Sequence, residues 1–218
     1  MGKLRNAVMG AVFLGILAAP TVGASQPATR GLLAANARPF GHPMVELASS
    51  WNVWGFGRAD DNPLLAVRCE RSPIDQRIWF LPVSLGGEYE NTCDVPQGAV
   101  LVLFAGGSEC SNLEPEPYYG ADESDLRACL DETFPLLTYI EITFNGKTTT
   151  NLDDYIVTTT LTTLPPDNLI SSSSGWSMNR GYFLAVGPLS RGTHSLHAYD
   201  EFYDGGFQAG ITYTINVR

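Results

Sequence analysis

The chain has 218 residues, with 13 Lys and Arg against 23 Asp and Glu, a formal net charge of −10 at pH 7. That sign opposes nucleic acid and anionic membrane surfaces as partners. With 22 Gly, 14 Pro and only 17% charged residues, the composition favours turns and strands over helical bundles.

Residues 1–24 read as a signal peptide: Lys3 and Arg5 open it, an apolar run covers 7–19, and Val22-Gly23-Ala24 precedes a cut at Ser25. The run is shorter than the roughly 20 residues a membrane helix needs, so no membrane span is expected after cleavage and the protein is expected to be secreted. Cleavage removes two bases and no acid, which takes the net charge to −12. Residues 25–41, rich in Ala, Pro and Gly, are expected as a flexible leader, and residues 42–218 as a single domain large enough for its own core.

Pro43 is pre-set for the first turn of a helix. Met44, Leu47, Trp51 and Trp54 then recur at spacings of three and four, an amphipathic stripe that a sheet would bury. Tryptophans so spaced are read as core, although a pair of exposed rings would also stack on a sugar. Gly55 and Gly57 are expected to end the helix. Residues 78–83 read as a buried strand. The continuous apolar run 100–104 suits a strand covered on both faces at the centre of a sandwich.

Cys69, Cys93, Cys110 and Cys129 give an even count in an exported chain, which argues for two disulfides with three possible pairings. Cys69–Cys93 with Cys110–Cys129 is favoured, since each closes a local loop and neither crosses the other. Metal ligation by these cysteines is disfavoured, because there is no Cys-x-x-Cys and no close His.

The order Trp51-x-x-Trp54, Asn62-Pro63, Cys69, Trp79-Phe80-Leu81, Thr92-Cys93-x-Val95-Pro96-x-Gly98 and Glu109-Cys110 resembles a group of uncharacterised bacterial secreted β-rich proteins. The closing Gly181-Tyr182 and Pro188-Leu189-x-x-Gly192-x-His194 are similar to the same group's end, so the resemblance covers most of the chain after the leader. It implies a single extracellular β-rich domain with disulfides and supplies no functional residues. Ala105-Gly106-Gly107-Ser108 is more glycine-rich than that group's pattern.

Residues 114–119 form a stiff Pro-rich loop, and Ser124 is placed to cap a short helix through Leu130. Residues 139–144 alternate as a strand, Asn145-Gly146 is a strong hairpin signal, and the Thr-rich stretch 147–163 fits further strands. The end of the chain reads as a β-meander of 182–186, 193–199 and 207–217. In the last of these Phe207, Ala209, Ile211, Tyr213, Ile215 and Val217 mark a buried face. The fold class expected is mainly β, a β-sandwich of jelly-roll type with one N-terminal amphipathic helix and one short helix.

Candidate chemistry is sparse. His194 and His197 are three apart on a strand and so face opposite ways, against a shared metal. Ser108 lacks the Gly-x-Ser-x-Gly elbow of a nucleophile. Glu109 and Glu141 are the candidates for paired carboxylates, which glycoside hydrolysis requires face to face. No cofactor is called for except a structural calcium, for which Asp200, Glu201 and Asp204 beside Gly205 and Gly206 supply the oxygen donors. The acidic turns at 60–62 and 153–154 offer donors of the same kind.

Trp176 in a polar loop, and Tyr199, Phe202 and Tyr203 around Asp200 and Asp204, combine rings with carboxylates as sugar-binding sites do. The leading expectation is therefore a secreted non-catalytic binding protein for a glycan or cell-surface partner. The alternatives are an extracellular hydrolase or lyase acting on a polysaccharide, and a purely structural extracellular protein.

Overall fold

The computed structural model describes residues 31–203 and 205–218. The expected signal peptide, residues 25–30 of the expected leader, and Asp204 lie outside the described residues. In chain order the elements are α1 (Met44–Phe56), β1 (Glu70–Arg71), β2 (Ile78–Leu81), β3 (Gly87–Val95), β4 (Val100–Ser111), α2 (Glu123–Thr133), β5 (Leu137–Phe144), β6 (Lys147–Thr149), β7 (Ile156–Thr158), β8 (Thr162–Leu164), β9 (Gly175–Val186), β10 (Gly192–Phe202) and β11 (Phe207–Val217). The protein is mainly β, with two sheets and two helices.

The first sheet runs β1-β2-β4-β9-β7, with β8 also on β9, and the second runs β3-β11-β10-β5-β6. Alternation along the strands decides how they meet. In β11 Ala209, Ile211, Tyr213, Ile215 and Val217 are buried, while Thr212, Thr214 and Asn216 are not. These residues, with Ile142 and Leu196, pack against Leu101, Leu103, Leu184 and Val186 of the first sheet. The result is a sandwich-like pair of layers. The Tyr213 hydroxyl, fully buried, donates to the Pro82 carbonyl across the layers.

The other face of the first sheet is covered by α1. Met44, Leu47, Ala48 and Trp51 settle on Phe80, Val102, Phe104 and Phe183, so β4 is enclosed on both sides, as its unbroken apolar run requires. Trp51 is the anchor. Its ring lies 5.2 Å from Phe104 and 6.0 Å from Phe183, and its indole N–H donates to the Leu81 carbonyl at 2.9 Å. Gly55 stays inside the helix, which ends where Gly57 N–H reaches Val53 O at 2.8 Å.

At the far end of β4, Leu126, Cys129 and Leu130 of α2 meet Cys110 and Met178. The α2 cap is Asp122 in place of Ser124: its Oδ1 accepts from the N–H groups of Ser124 and Asp125 at 2.8 and 3.0 Å. An aspartate there satisfies two orphan donors and carries the charge that a helix N-terminus favours.

The disulfides pair Cys69 with Cys93 and Cys110 with Cys129. Asn145 and Gly146 both take positive φ in the two-residue β5–β6 hairpin, the type I′ geometry that this dipeptide favours.

Three expectations are corrected. The closing strands are not a meander: β10 and β11 pair, but β9 belongs to the opposite sheet, and residues 187–191 carry the chain across. Two pairs, β2 with β4 and β3 with β11, are parallel, whereas a jelly roll is antiparallel throughout. From Gly31 onward the leader is tied down, with Leu33 N–H donating to Ala185 O at 2.8 Å and Gly187 N–H to Gly31 O at 3.0 Å. Among the described residues no helix is long and apolar enough to cross a membrane.

Candidate functional site

The site begins as an interruption in a strand ladder. β2 pairs with β4 only from Ile78 opposite Val100 to Leu81 opposite Leu103. Pro82 then follows, and proline has no N–H to continue a ladder. Farther along, Ser111 N–H donates to Tyr118 O at 3.0 Å, and Gly120 N–H to Ser111 O at 3.1 Å. Between those two contacts, the edge of β4 that faces away from β9 has no backbone partner among the described residues. A cavity of about 360 Å³ opens there.

Two glycines shape its floor. The β4–β9 register shifts between Phe104 and Gly107, with φ of 154° at Gly106 and 157° at Gly107. A side chain on Gly107 would fall on the Arg180 carbonyl. A Cβ on Gly106 would stand 3.0 Å from the Asp200 Cβ and 3.1 Å from Leu137 Cδ1. Glycine is the residue that lets a backbone approach another group so closely, and here it admits the Asp200 side chain beneath the strand.

Three carboxyl groups line the cavity, Glu109 on β4, Asp200 on β10 and Glu114 in the loop after β4. Asp200 is 5% exposed, and no hydrogen bond to its carboxyl is present among the described residues. Burial alone pushes its pKa up to about 7, because the charged form loses hydration with nothing nearby in return. Glu109 is raised well above the usual carboxylate range, by burial first and then by the Glu114 carboxyl beside it.

A chain of buried polar side chains fixes the orientation of Glu109. Asn179 Nδ2 donates to Asn52 Oδ1 at 2.6 Å, Asn52 Nδ2 donates to Ser177 Oγ at 3.1 Å, and Ser177 Oγ donates to Glu109 Oε1 at 2.5 Å. Asn52, on α1 one residue after Trp51, is fully buried.

The mouth is aromatic. Phe202 lies 5.9 Å from Phe207 and 6.4 Å from Tyr203, and the hydroxyls of Tyr118 and Tyr203 meet at 2.9 Å. That bond, with burial behind it, pushes the Tyr118 phenol up to about 12. Phe56 from the end of α1 and Leu85 from the loop after β2 complete the apolar wall.

Of the residues expected at a binding site, Asp200, Phe202 and Tyr203 come together here. Tyr199 does not: it lies on the outer face of the second sheet, where its hydroxyl donates to Glu201 Oε1 at 2.6 Å and its ring neighbours Tyr139 at 6.1 Å. Trp176 is 44% exposed, on β9 opposite Thr163 of β8, and is not among the lining residues.

The calcium set is divided. Asp200 and Glu201 are adjacent on β10, so their side chains leave opposite faces, and Asp204 lies outside the described residues. Among the described residues no group of three or more His, Cys, Asp or Glu side chains is arranged to hold a metal ion. The Glu109–Glu141 pairing also fails, since Glu141 is on the outer face of the second sheet, accepting from the Tyr139 hydroxyl at 2.8 Å.

Sequence reasoning missed Glu114, Tyr118 and the Gly106–Gly107 floor. The signal for the floor was the Gly106-Gly107-Ser108-Glu109 run after an apolar strand, noted in the sequence for its glycines, its serine and its glutamate but not as the wall of a cavity. Chemically, the cavity offers two desolvated carboxyl groups held by separate sheets, a third beside one of them, and rings at the entrance. Comparison with protein-family models, with curated proteins and with solved structures finds no match to this chain.

Proposed function

We propose that this is an exported, non-catalytic binding protein, and that the cavity in the β4 ladder is its ligand site. Two disulfides suit an oxidising compartment outside the cytosol. A glycan is the ligand class we favour, since rings at a concave mouth stack on sugar faces while carboxyl and phenol groups meet hydroxyls. The observation that carries the reading is Asp200: a carboxyl buried without a partner and aimed into a cavity is costly unless something binds there.

Pull-down on a polysaccharide panel tests it, comparing the wild type with Tyr203→Ala and Phe207→Ala. Binding that weakens in both variants supports the assignment. Retention unchanged in both would remove the cavity from consideration.

A second reading, hydrolysis or lysis of a polysaccharide, is favoured by one feature. With Asp200 pushed up to about 7 and Glu109 raised well above the usual carboxylate range by burial, the cavity contains candidates for a base and an acid. In that case Asp200 would activate water while Glu109 protonated the leaving oxygen. Release of reducing ends by the wild type, abolished in Glu109→Gln, would establish turnover and replace the binding reading.

A further inference from the structure

The cavity is acidic in its lining and has no base to match. Glu109, Glu114 and Asp200 line it, and among the described residues no Lys, Arg or His does. Arg180, opposite Ser108 in the ladder, pairs with Asp131 at 2.5 Å, and Arg58, two residues after Phe56, pairs with Glu70 at 2.7 Å. The entrance is ringed by Phe202, Tyr203 and Phe207, and aromatic faces attract cations.

We infer that the ligand carries a positively charged nitrogen, an organic ammonium, with the Asp200 carboxylate as its counter-ion and these rings around its carbon. The inference rests on the cavity being a ligand site. It adds the charge that a neutral sugar lacks, and the ammonium is shared by two sources, an amino sugar and an alkylammonium compound. In the empty pocket burial favours the protonated form of Asp200, because its charge would lose hydration there. An entering cation replaces a proton, so binding and deprotonation are linked. The titratable groups facing Asp200 among the described residues are Glu109 from β4, Glu114 and Tyr118 from the following loop, and Tyr203 from the β10–β11 turn.

Calorimetric titration of the full chain with matched probes tests this. Choline has a fixed charge, and 3,3-dimethylbutan-1-ol is its neutral isostere; glucosamine and glucose make the same comparison on a sugar ring. At pH 7 at least one cation should bind ten-fold or more tightly than its neutral partner. Choline affinity should rise about ten-fold from pH 5 to pH 7.5, with protons released in proportion. Asp200→Asn should weaken the cation ten-fold and leave the neutral probe unchanged, with near-ultraviolet circular dichroism confirming the fold and Glu109→Gln as the second variant.

Preference for glucosamine would identify the amino-sugar source, and preference for choline the alkylammonium source; either supports the proposal. Neutral probes binding as well as their cations would overturn the ammonium and leave the ligand site standing. Binding by no probe, charged or neutral, would overturn both.

Discussion

Asp200→Asn exchanges a buried acid for a nearly isosteric neutral amide, and its effect on stability can be worked from the structure. In the unfolded chain an aspartate titrates near 3.9; in the fold burial raises Asp200 to about 7. Between those values the folded state holds a proton that the unfolded state has lost, so stability falls as pH rises through that window. Below about pH 4 both states are protonated and the cost vanishes. Above about pH 7 both are ionised and the cost is fully felt, roughly 4 kcal/mol at about 1.36 kcal/mol per unit.

From pH 5 to pH 8 only the upper part of that window is crossed, which corresponds to about 2 to 3 kcal/mol. Asparagine has no such term. Every other acid is common to both proteins, so the difference between their pH profiles isolates position 200. In urea unfolding in phosphate buffer, free of organic cations, the stability of the variant relative to wild type should rise by about 2 to 3 kcal/mol from pH 5 to pH 8. Equal losses in both proteins across that range would show that Asp200 does not titrate there, and the electrostatic account of the cavity would fail.

Other perturbations follow from the packing. Trp51→Ala removes a fully buried ring and its bond to Leu81, and chemical denaturation should record a loss of about 3 to 5 kcal/mol. Opening the Cys110–Cys129 bond by double alanine substitution frees a loop of 19 residues' separation, with an expected cost of about 3 kcal/mol. Because that loop carries Glu114 and Tyr118, binding in the cavity should weaken as well. Trp176→Ala should change stability by no more than about 0.5 kcal/mol and leave cavity binding as it was. In Tyr203→Phe the Tyr118 phenol loses the bond that raises it, so absorbance titration should show it ionising at lower pH.

Much of the architecture was legible where it is written locally. The alternation in β11, the unbroken run of β4, the Asn145-Gly146 turn and the sequential disulfides each follow from a period, a turn chemistry or a spacing. The assignment of β9 to one sheet and β10 to the other was not read, although residues 182–186 are an unbroken apolar run buried on both faces, as in β4, while β10 alternates. The crossing is made by residues 187–191, beginning at Gly187 with φ of 131°. The candidate site divides the same way. Asp200 was singled out, but as part of an acidic loop; β10 in fact continues to Phe202, so strand geometry sends Asp200 inward and Glu201 outward. Glu109 was recognised as a carboxylate on regular structure, yet its neighbour Glu114 reaches it only through a loop whose path is set by tertiary contacts.

Two features that run against stability occur together at one place. A strand edge without partners invites association and is ordinarily covered, yet β2 departs after Leu81 and leaves β4 open until Ser111. A carboxyl without a partner is ordinarily excluded from an interior, yet Gly106 gives up its side chain so that Asp200 fits beneath β4. A chain shaped by packing alone would extend β2 by a few residues and put an apolar side chain at 200, and the sandwich around it would tolerate both changes. Departures from local rules that coincide in space are where function is expected to sit. That coincidence, rather than the size of the cavity, separates it from the other clefts on the surface. It also explains why the residues around the cavity come from four segments distant in the chain: they share an opening in a ladder, and no motif.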